Sequence, residues 1–393
     1  NSTCIGASAA PRAAVQWSAL AAAAAVTAAV LAEVADQGWR IAILFVLGIL
    51  LGVTLYHAAF GFTSAYRRLF VYREVSGIQA QLVMLGLATL LFAPVLAAGS
   101  IFGQEVGGAV APAGWQVAIG AFMFGIGMQL GGGCGSGTLY TVGGGNVRMG
   151  VTLAAFVIGS FWASLHMGWW QELPSFEAIA LGNVLGWPMA TALQLSFLVV
   201  LAALLRVWGK DAGPTPASVT AGWARVLRGP WPIMTGAVLL AVLNFATLTV
   251  AGHPWTITWA FTLWGAKAAR VLGWDPQSSP FWTGGFQQAA LEGGILEDIT
   301  SLMDIGLVLG ALAAACLAGR FTPRLDIAWR SILSAGVGGL LMGYGARIAF
   351  GCNVGAFFSG VASTSLHGWL WIATALAGNW IGVRLRPRFS LQN

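Results

Sequence analysis

Ten mostly apolar stretches follow one another along this chain, each reaching or approaching the roughly 20 residues that a helix needs to cross a bilayer. They cover residues 15–31, 41–60, 78–97, 114–130, 150–167, 189–205, 233–250, 302–318, 332–349 and 369–383. Only 8% of the 393 residues are charged while 58% are apolar. A water-facing surface draws on about 25% charged residues, so a soluble enzyme, a nucleic-acid-binding protein and a disordered chain are all excluded. The 54 glycines, about twice ordinary usage, suit membrane helices that approach closely or break. Backbone groups exposed to lipid must pair within their own segment. The expectation is therefore an all-α integral membrane protein of about ten spans.

The basic residues set the expected orientation. With the N-terminus inside, Arg12, Arg67, Arg68, Arg73, Arg148, Arg206, Lys210, Arg225, Arg228, Arg320, Arg324, Arg330, Arg384, Arg386 and Arg388 fall on the cytoplasmic side. That is 15 of the 19, as the positive-inside bias requires; Arg40, Lys267, Arg270 and Arg347 are the exceptions. Both termini are read as cytoplasmic, and the net charge of +6 as loop anchoring. The opening segment lacks a signal-peptide pattern and reads as a tail. The division expected is a tail over 1–14, a membrane half over 15–205, a cytoplasmic linker over 206–229, a second half over 230–385 and a tail over 386–393. The polar stretch 275–300 is the largest expected outside loop.

The halves share a motif. GIGMQLGGGCGSG (125–137) overlays GYGARIAFGCNVG (343–355) at an offset of 218, with five identities in thirteen positions. Cys134 and Cys352 coincide, as do Gly133 with Gly351 and Gly137 with Gly355. A weaker match joins FGFTSAYR (60–67) to WTITWAFT (255–262) at an offset of 195, pairing Thr63 with Thr258. In the expected orientation the helices before the two cysteines run in opposite directions. Inverted repeats of this kind place substrate sites near the midplane at the repeat interface. The motifs hold too much glycine to continue as helix, so broken or re-entrant helices are expected to bring both cysteines to one constriction.

Such a constriction offers backbone N–H groups and the positive ends of short helices, with hydroxyl and amide donors from Ser136, Thr138, Tyr140 and Asn353. Lys267 and Arg347 can add positive charge, and Thr63, Trp255, Thr256 and Thr258 complete the candidate lining. These groups favour an anion. A neutral thiol donates S–H without fixing a charge, so it can hold a soft sulfur anion and still release it. A sulfur or selenium oxyanion fits this better than phosphate or chloride. The same two cysteines could serve a membrane thiol-redox protein instead. Two thiols are too few for a structural zinc site, and no zinc-protease, CxxC or nucleotide-binding motif is present. No catalytic residues, metal or cofactor are expected. Cys4 and Cys316 fall in neither shared motif.

Three stretches carry a resemblance: GMQLGGGCGSGTLYTVGGG (127–145), HPWTITWAFTLWGAK (253–267) and GARIAFGCNVGAFFSGVASTSLHGWLW (345–371) resemble the signatures of the YeeE/YedE family of membrane transporters. The resemblance implies a bacterial inner-membrane uptake protein of inverted repeats, passing thiosulfate through a narrow point between cysteine thiols by S–H···S hydrogen bonds. Cys134 and Cys352 match two of the family's pathway cysteines. A third is usual in a segment resembling FCFTGAYR, where this chain has FGFTSAYR and so Gly61. That departure opens the way to another substrate, such as a selenium species, or to a shifted role for Thr63. The resemblance also implies a small TusA-like sulfur-carrier protein as a cytoplasmic partner.

Overall fold

The computed structural model describes residues 14–210 and 222–392. Cys4, Arg12 and the middle of the linker lie outside the described residues. The first half contains α1 (Trp17–Ala35), α2 (Trp39–Ala58), α3 (Phe62–Tyr72), α4 (Ser76–Ala98), α5 (Trp115–Gly131), α6 (Gly135–Gly143) and α7 (Val147–Ser164). Short helices α8 (Met167–Gln171) and α9 (Leu181–Leu185) follow, then α10 (Trp187–Trp208) and α11 (Trp223–Arg228). The rest comprises α12 (Ile233–Ala251), α13 (Thr258–Val271), α14 (Gly285–Glu292), α15 (Ile299–Leu317) and α16 (Trp329–Ile348). A π-helix (Asn353–Ser359) leads through α17 (Gly360–Ala362) to α18 (Leu366–Leu385). Sheet among the described residues is confined to two small antiparallel pairs.

Each of the ten expected stretches falls on a helix. Among the described residues eight spans are long and apolar enough to cross a membrane, or nine if the bent pair α16 and π-helix counts as one. The tenth, α18, carries His367, Asn379 and Arg384 and is buried along one side against α5. Stretch 275–300, expected as a loop, holds two 3-10 turns and α14. The glycine-rich motifs break their helices without folding them back: α5 and α6 form one interrupted span over 115–143, and α16 and the π-helix meet at 42°.

Packing repeats with the sequence. Helix α16 lies along α7 as α5 lies along α18, and α15 packs on α2 as α12 packs on α4. Close approaches obey the same exchange. A Cβ on Gly127 would fall 2.7 Å from the Gly338 carbonyl oxygen, and one on Gly120 2.6 Å from that of Gly345; an offset of 218 turns the first contact into the second. Likewise a Cβ on Gly125 would meet Asn379 N at 2.8 Å, and one on Gly343 would meet Ser160 N at 2.6 Å. Lipid supplies no hydrophobic drive to pair helices, so association depends on small residues that let backbones touch. Glycine at these crossings is what makes the two halves interlock. Helix α10 packs on α4 as α1 packs on α15, so the packing groups α10 with the second repeat, and the linker 206–229 follows that repeat's first helix.

Candidate transport site

Cys134 and Cys352 occupy equivalent backbone positions. Each is the residue before a helix, with φ −90° and ψ −165° at Cys134 and φ −101° and ψ −165° at Cys352. Each sulfur accepts from its own helix's first turn: Gly137 N donates to Cys134 Sγ at 3.4 Å, and Val354 N to Cys352 Sγ at 3.5 Å. An N-terminal turn leaves such N–H groups unpaired, and here the thiols take the place that Ser or Asp usually fills. Ser136 Oγ adds a contact of 3.4 Å to Cys134. Both cysteines are buried and free of disulfide.

The two motifs meet. A Cβ built on Gly135 would lie 3.0 Å from Cys352 Sγ, so the first turn of α6 abuts the second thiol directly. Gly137 and Gly133 keep the Cys134 turn tight: a Cβ at Gly137 would be 3.4 Å from Cys134 Sγ, and one at Gly133 2.9 Å from Met149 Cε. Gly351 has φ +146°, a conformation open to glycine. Beside the pair stand two tyrosines. Tyr66 accepts from Asn353 Nδ2 at 3.2 Å, and both Tyr66 and Tyr140 lie within electrostatic reach of Cys134. Asn353 Oδ1 is buried without a partner. Gly61 precedes α3 at the break after α2, where a Cβ would come within 3.6 Å of Tyr140 Oη.

A cavity opens on each side of this cluster. One, of about 350 Å³, is lined by Thr256, Thr258, Trp259, Thr300, Arg347 and Gly355 among others. Gly355 is also next to Thr256 at the cysteine turn, with a Cβ-to-Cγ2 separation of 3.6 Å. The other, of about 440 Å³, includes Tyr140, Asn146, Arg148 and Arg324. They lie at opposite ends of α16, since Arg347 is in its last turn and Arg324 and Ile327 precede its first. Twenty residues of helix set those ends about 30 Å apart.

Arg347 gives the first cavity its charge. Its guanidinium stands over the rings of Phe281 at 5.3 Å and Trp259 at 6.0 Å, and its Nε has no hydrogen-bond partner. Trp259 is itself fixed by a 2.8 Å bond from Nε1 to Asp298. Ring faces attract a cation without neutralising it, so this charge stays open to an anion. Arg148 differs, being committed to the carbonyls of Leu130 and Gly131 and to Ser331. Phe350 lines the Arg347 cavity in a left-handed conformation, φ +59°, which costs a bulky residue of order 1–3 kcal/mol.

The remaining candidates divide. Trp255 is buried in the break before α13, its N–H bonded to Asn244 and its carbonyl to Ser359; Nε1 is left unpartnered. Thr256 bonds Thr300 at 3.2 Å across the cavity wall. Thr63 lines neither cavity; its carbonyl accepts from Gln129, which also bonds Asn379. Lys267 is not brought to the cysteines: its Nζ bonds the Leu291 and Gly293 carbonyls, beside Arg270 and Glu292. Cys316 is buried on α15, where its carbonyl accepts from Gln16 N of the segment entering α1. Among the described residues no three His, Cys, Asp or Glu side chains are grouped to hold a metal. Tyr66, Thr300 and Trp259 were not legible as site residues, because nothing in their local sequence separates them from packing groups.

Interlocked helical repeats, broken where their capping cysteines meet between two cavities, define a multi-pass membrane transporter. Comparison with known proteins gives the family: the sulphur transport family model matches residues 57–381, and the chain belongs to that family. Its members are transporters rather than enzymes. The chain is 33% identical over 171 residues to the probable transporter YedE of Escherichia coli K12, covering 43% of this chain and 41% of that protein's length. It is 27% identical over 360 residues to the thiosulfate transporter TsuA of Spirochaeta thermophila, covering 85% of this chain and 95% of that protein. Against TsuA of Escherichia coli K12 the identity is 26% over 356 residues, covering 87% and 94%.

Proposed function

We propose that this protein takes up thiosulfate, or a closely related sulfur anion, across the bacterial inner membrane. In this reading the anion enters the Arg347 cavity from outside, passes between Cys134 and Cys352, and leaves through the cavity containing Arg324. The observation that carries the reading is the meeting of two equivalent cysteines at the interface of interlocked repeats. Thiosulfate presents a soft terminal sulfur and three charged oxygens. Thiols at a helix start can donate S–H to the sulfur, while Asn353, the tyrosine hydroxyls and the unpaired N–H groups of the first turns serve the oxygens. Each replaces water whose loss would otherwise cost several kcal/mol. The names of the TsuA relatives support the same substrate class.

Gly61 shapes the details. Where a third thiol is expected, a Cβ would meet Ser64 Oγ at 2.8 Å and Tyr140 Oη at 3.6 Å, so two hydroxyls stand at that step. The missing third thiol is the ground for a second reading, passage of a selenium species by the same route. With both termini cytoplasmic, the Arg324 cavity opens inward, where a small TusA-like carrier would accept the sulfur. Cells lacking other sulfate and thiosulfate importers test this with labelled thiosulfate. Uptake should depend on the protein, and Cys134→Ala or Cys352→Ala should lower it at least about tenfold, the value of one lost charge-assisted contact. Either variant, correctly folded and taking up thiosulfate at the wild-type rate, would remove the thiol pathway.

A further inference from the structure

Asp304 sits in the middle of α15, fully buried, and neither carboxylate oxygen has a hydrogen-bond partner. Thr300, one turn earlier on the same helix face, bonds Thr256 and lines the Arg347 cavity. Asp304 is thus one turn beneath that cavity's floor, and it is an electrostatic neighbour of Cys352. The helix that corresponds to α15 in the first repeat, α4, contains no ionisable residue. The fold therefore builds this helix without an acid, and Asp304 breaks the likeness of the halves beside the constriction. A bare carboxylate in lipid surroundings is costly, and such residues mark ion or proton pathways.

We infer that Asp304 is a proton-binding site that couples anion passage to proton entry, making the protein a proton–anion symporter; this rests on the transport function proposed above. The carboxylate takes a proton arriving through the Arg347 cavity, forming an O–H bond. The neutral carboxyl then no longer repels an anion at Cys352. The proton is released toward the Arg324 cavity when that anion has left, and no electrons move. Among the described residues, other groups near Asp304 are few. Asp298, which caps the same helix, is bonded to Trp259 and Ser301 N, and Cys352, before the π-helix, is within electrostatic reach. Helix α6, whose Gly143 lies against Val308, contributes Tyr140, with Cys134 capping its start. Helix α2 meets this level of α15 through Phe45, Gly48, Ile49 and Gly52; α1 contributes Glu33, which is exposed. From α13, Lys267 is held by the Leu291 and Gly293 carbonyls. Short α11 brings Arg225 and Arg228, in its last turn. None of these is a partner to the carboxyl.

The test uses the full-length protein in liposomes, with labelled thiosulfate and the membrane potential clamped at zero. With equal pH on both sides, flux runs downhill only. An imposed gradient of one pH unit, acid outside, should drive transient accumulation toward about tenfold if one proton accompanies each anion. Asp304→Asn should equilibrate thiosulfate without accumulation, and Asp304→Glu should keep the coupling. Wild-type downhill flux that ignores the pH gradient overturns the inference while leaving the transport function intact. A sodium gradient that drives accumulation in its place overturns it as well, as does accumulation by Asp304→Asn. Absence of any downhill flux overturns the transport function itself, and the inference with it. The wild-type response decides the matter even if the Asn variant does not fold.

Discussion

Two cations close to the signature motifs should behave in opposite ways when neutralised. The Arg347 guanidinium stands over two ring faces with its Nε unpartnered, whereas Lys267 is spent on the Leu291 and Gly293 carbonyls. A hydrogen bond to a charged group is worth about 1.5–3 kcal/mol, so Arg347→Gln should raise the half-saturation concentration for uptake about tenfold or more. Its maximal rate should change less, as expected when binding rather than passage is lost. Lys267→Gln should leave uptake kinetics within about twofold of wild type. Measured concentration curves for the two variants check this, and equal effects would place the anion's capture site elsewhere. Both residues looked alike in the sequence, each basic and each near a motif. Only the direction of the side chain separates them, and that depends on a loop distant in sequence. Cys134 and Cys352, in contrast, were legible at once because a rare residue recurred with its flanking glycines.

At the scale of helices, glycines at crossings carry the assembly. A side chain at Gly338 would meet Gly131 Cα at 2.6 Å and the Gly127 carbonyl oxygen at 2.8 Å, so Gly338→Leu must force α16 off α5. Overpacking of this kind costs typically about 1–3 kcal/mol, which should appear as a lowered unfolding temperature in detergent. Gly336→Leu on the same helix, with nothing within 4 Å of a Cβ, should leave it nearly unchanged. Hydropathy alone located every long helix, because bilayer thickness fixes span length. The breaks before Cys134 and Cys352 were also readable, from glycine that cannot sustain a helix. Partnership between helices was not readable. Apolar spans look alike, so nothing in the sequence of α10 announces that it packs on α4 as α1 packs on α15. The elements within 275–300 escaped for a related reason: a short helix and two 3-10 turns leave too little periodicity to distinguish from a loop.

For the whole molecule, the exchange of contacts between repeats has a consequence for sidedness. Five long helices precede α10 in the first repeat (α1, α2, α4, α5 and α7), and five belong to the second (α10, α12, α15, α16 and α18). If each of these helices crosses the membrane, an odd number of crossings inverts one repeat relative to the other, and the cavities beside Cys134 and Cys352 are expected to open to opposite sides. Phe286 borders the Arg347 cavity and is exposed, and Arg324 is exposed at the other. Phe286→Cys should therefore react with a membrane-impermeant thiol reagent added to intact spheroplasts, and Arg324→Cys only in inside-out vesicles. The native thiols at 134, 316 and 352 are buried, so with Cys4→Ser as the background for both variants the parent protein should give little labelling from either side. Added thiosulfate should slow the reaction at 286, since anion and reagent would share the cavity. Reaction of both positions from the same side would contradict the inversion. It would also remove the reason for two equivalent cysteines to meet at a midplane, because a route between cavities on one face crosses nothing.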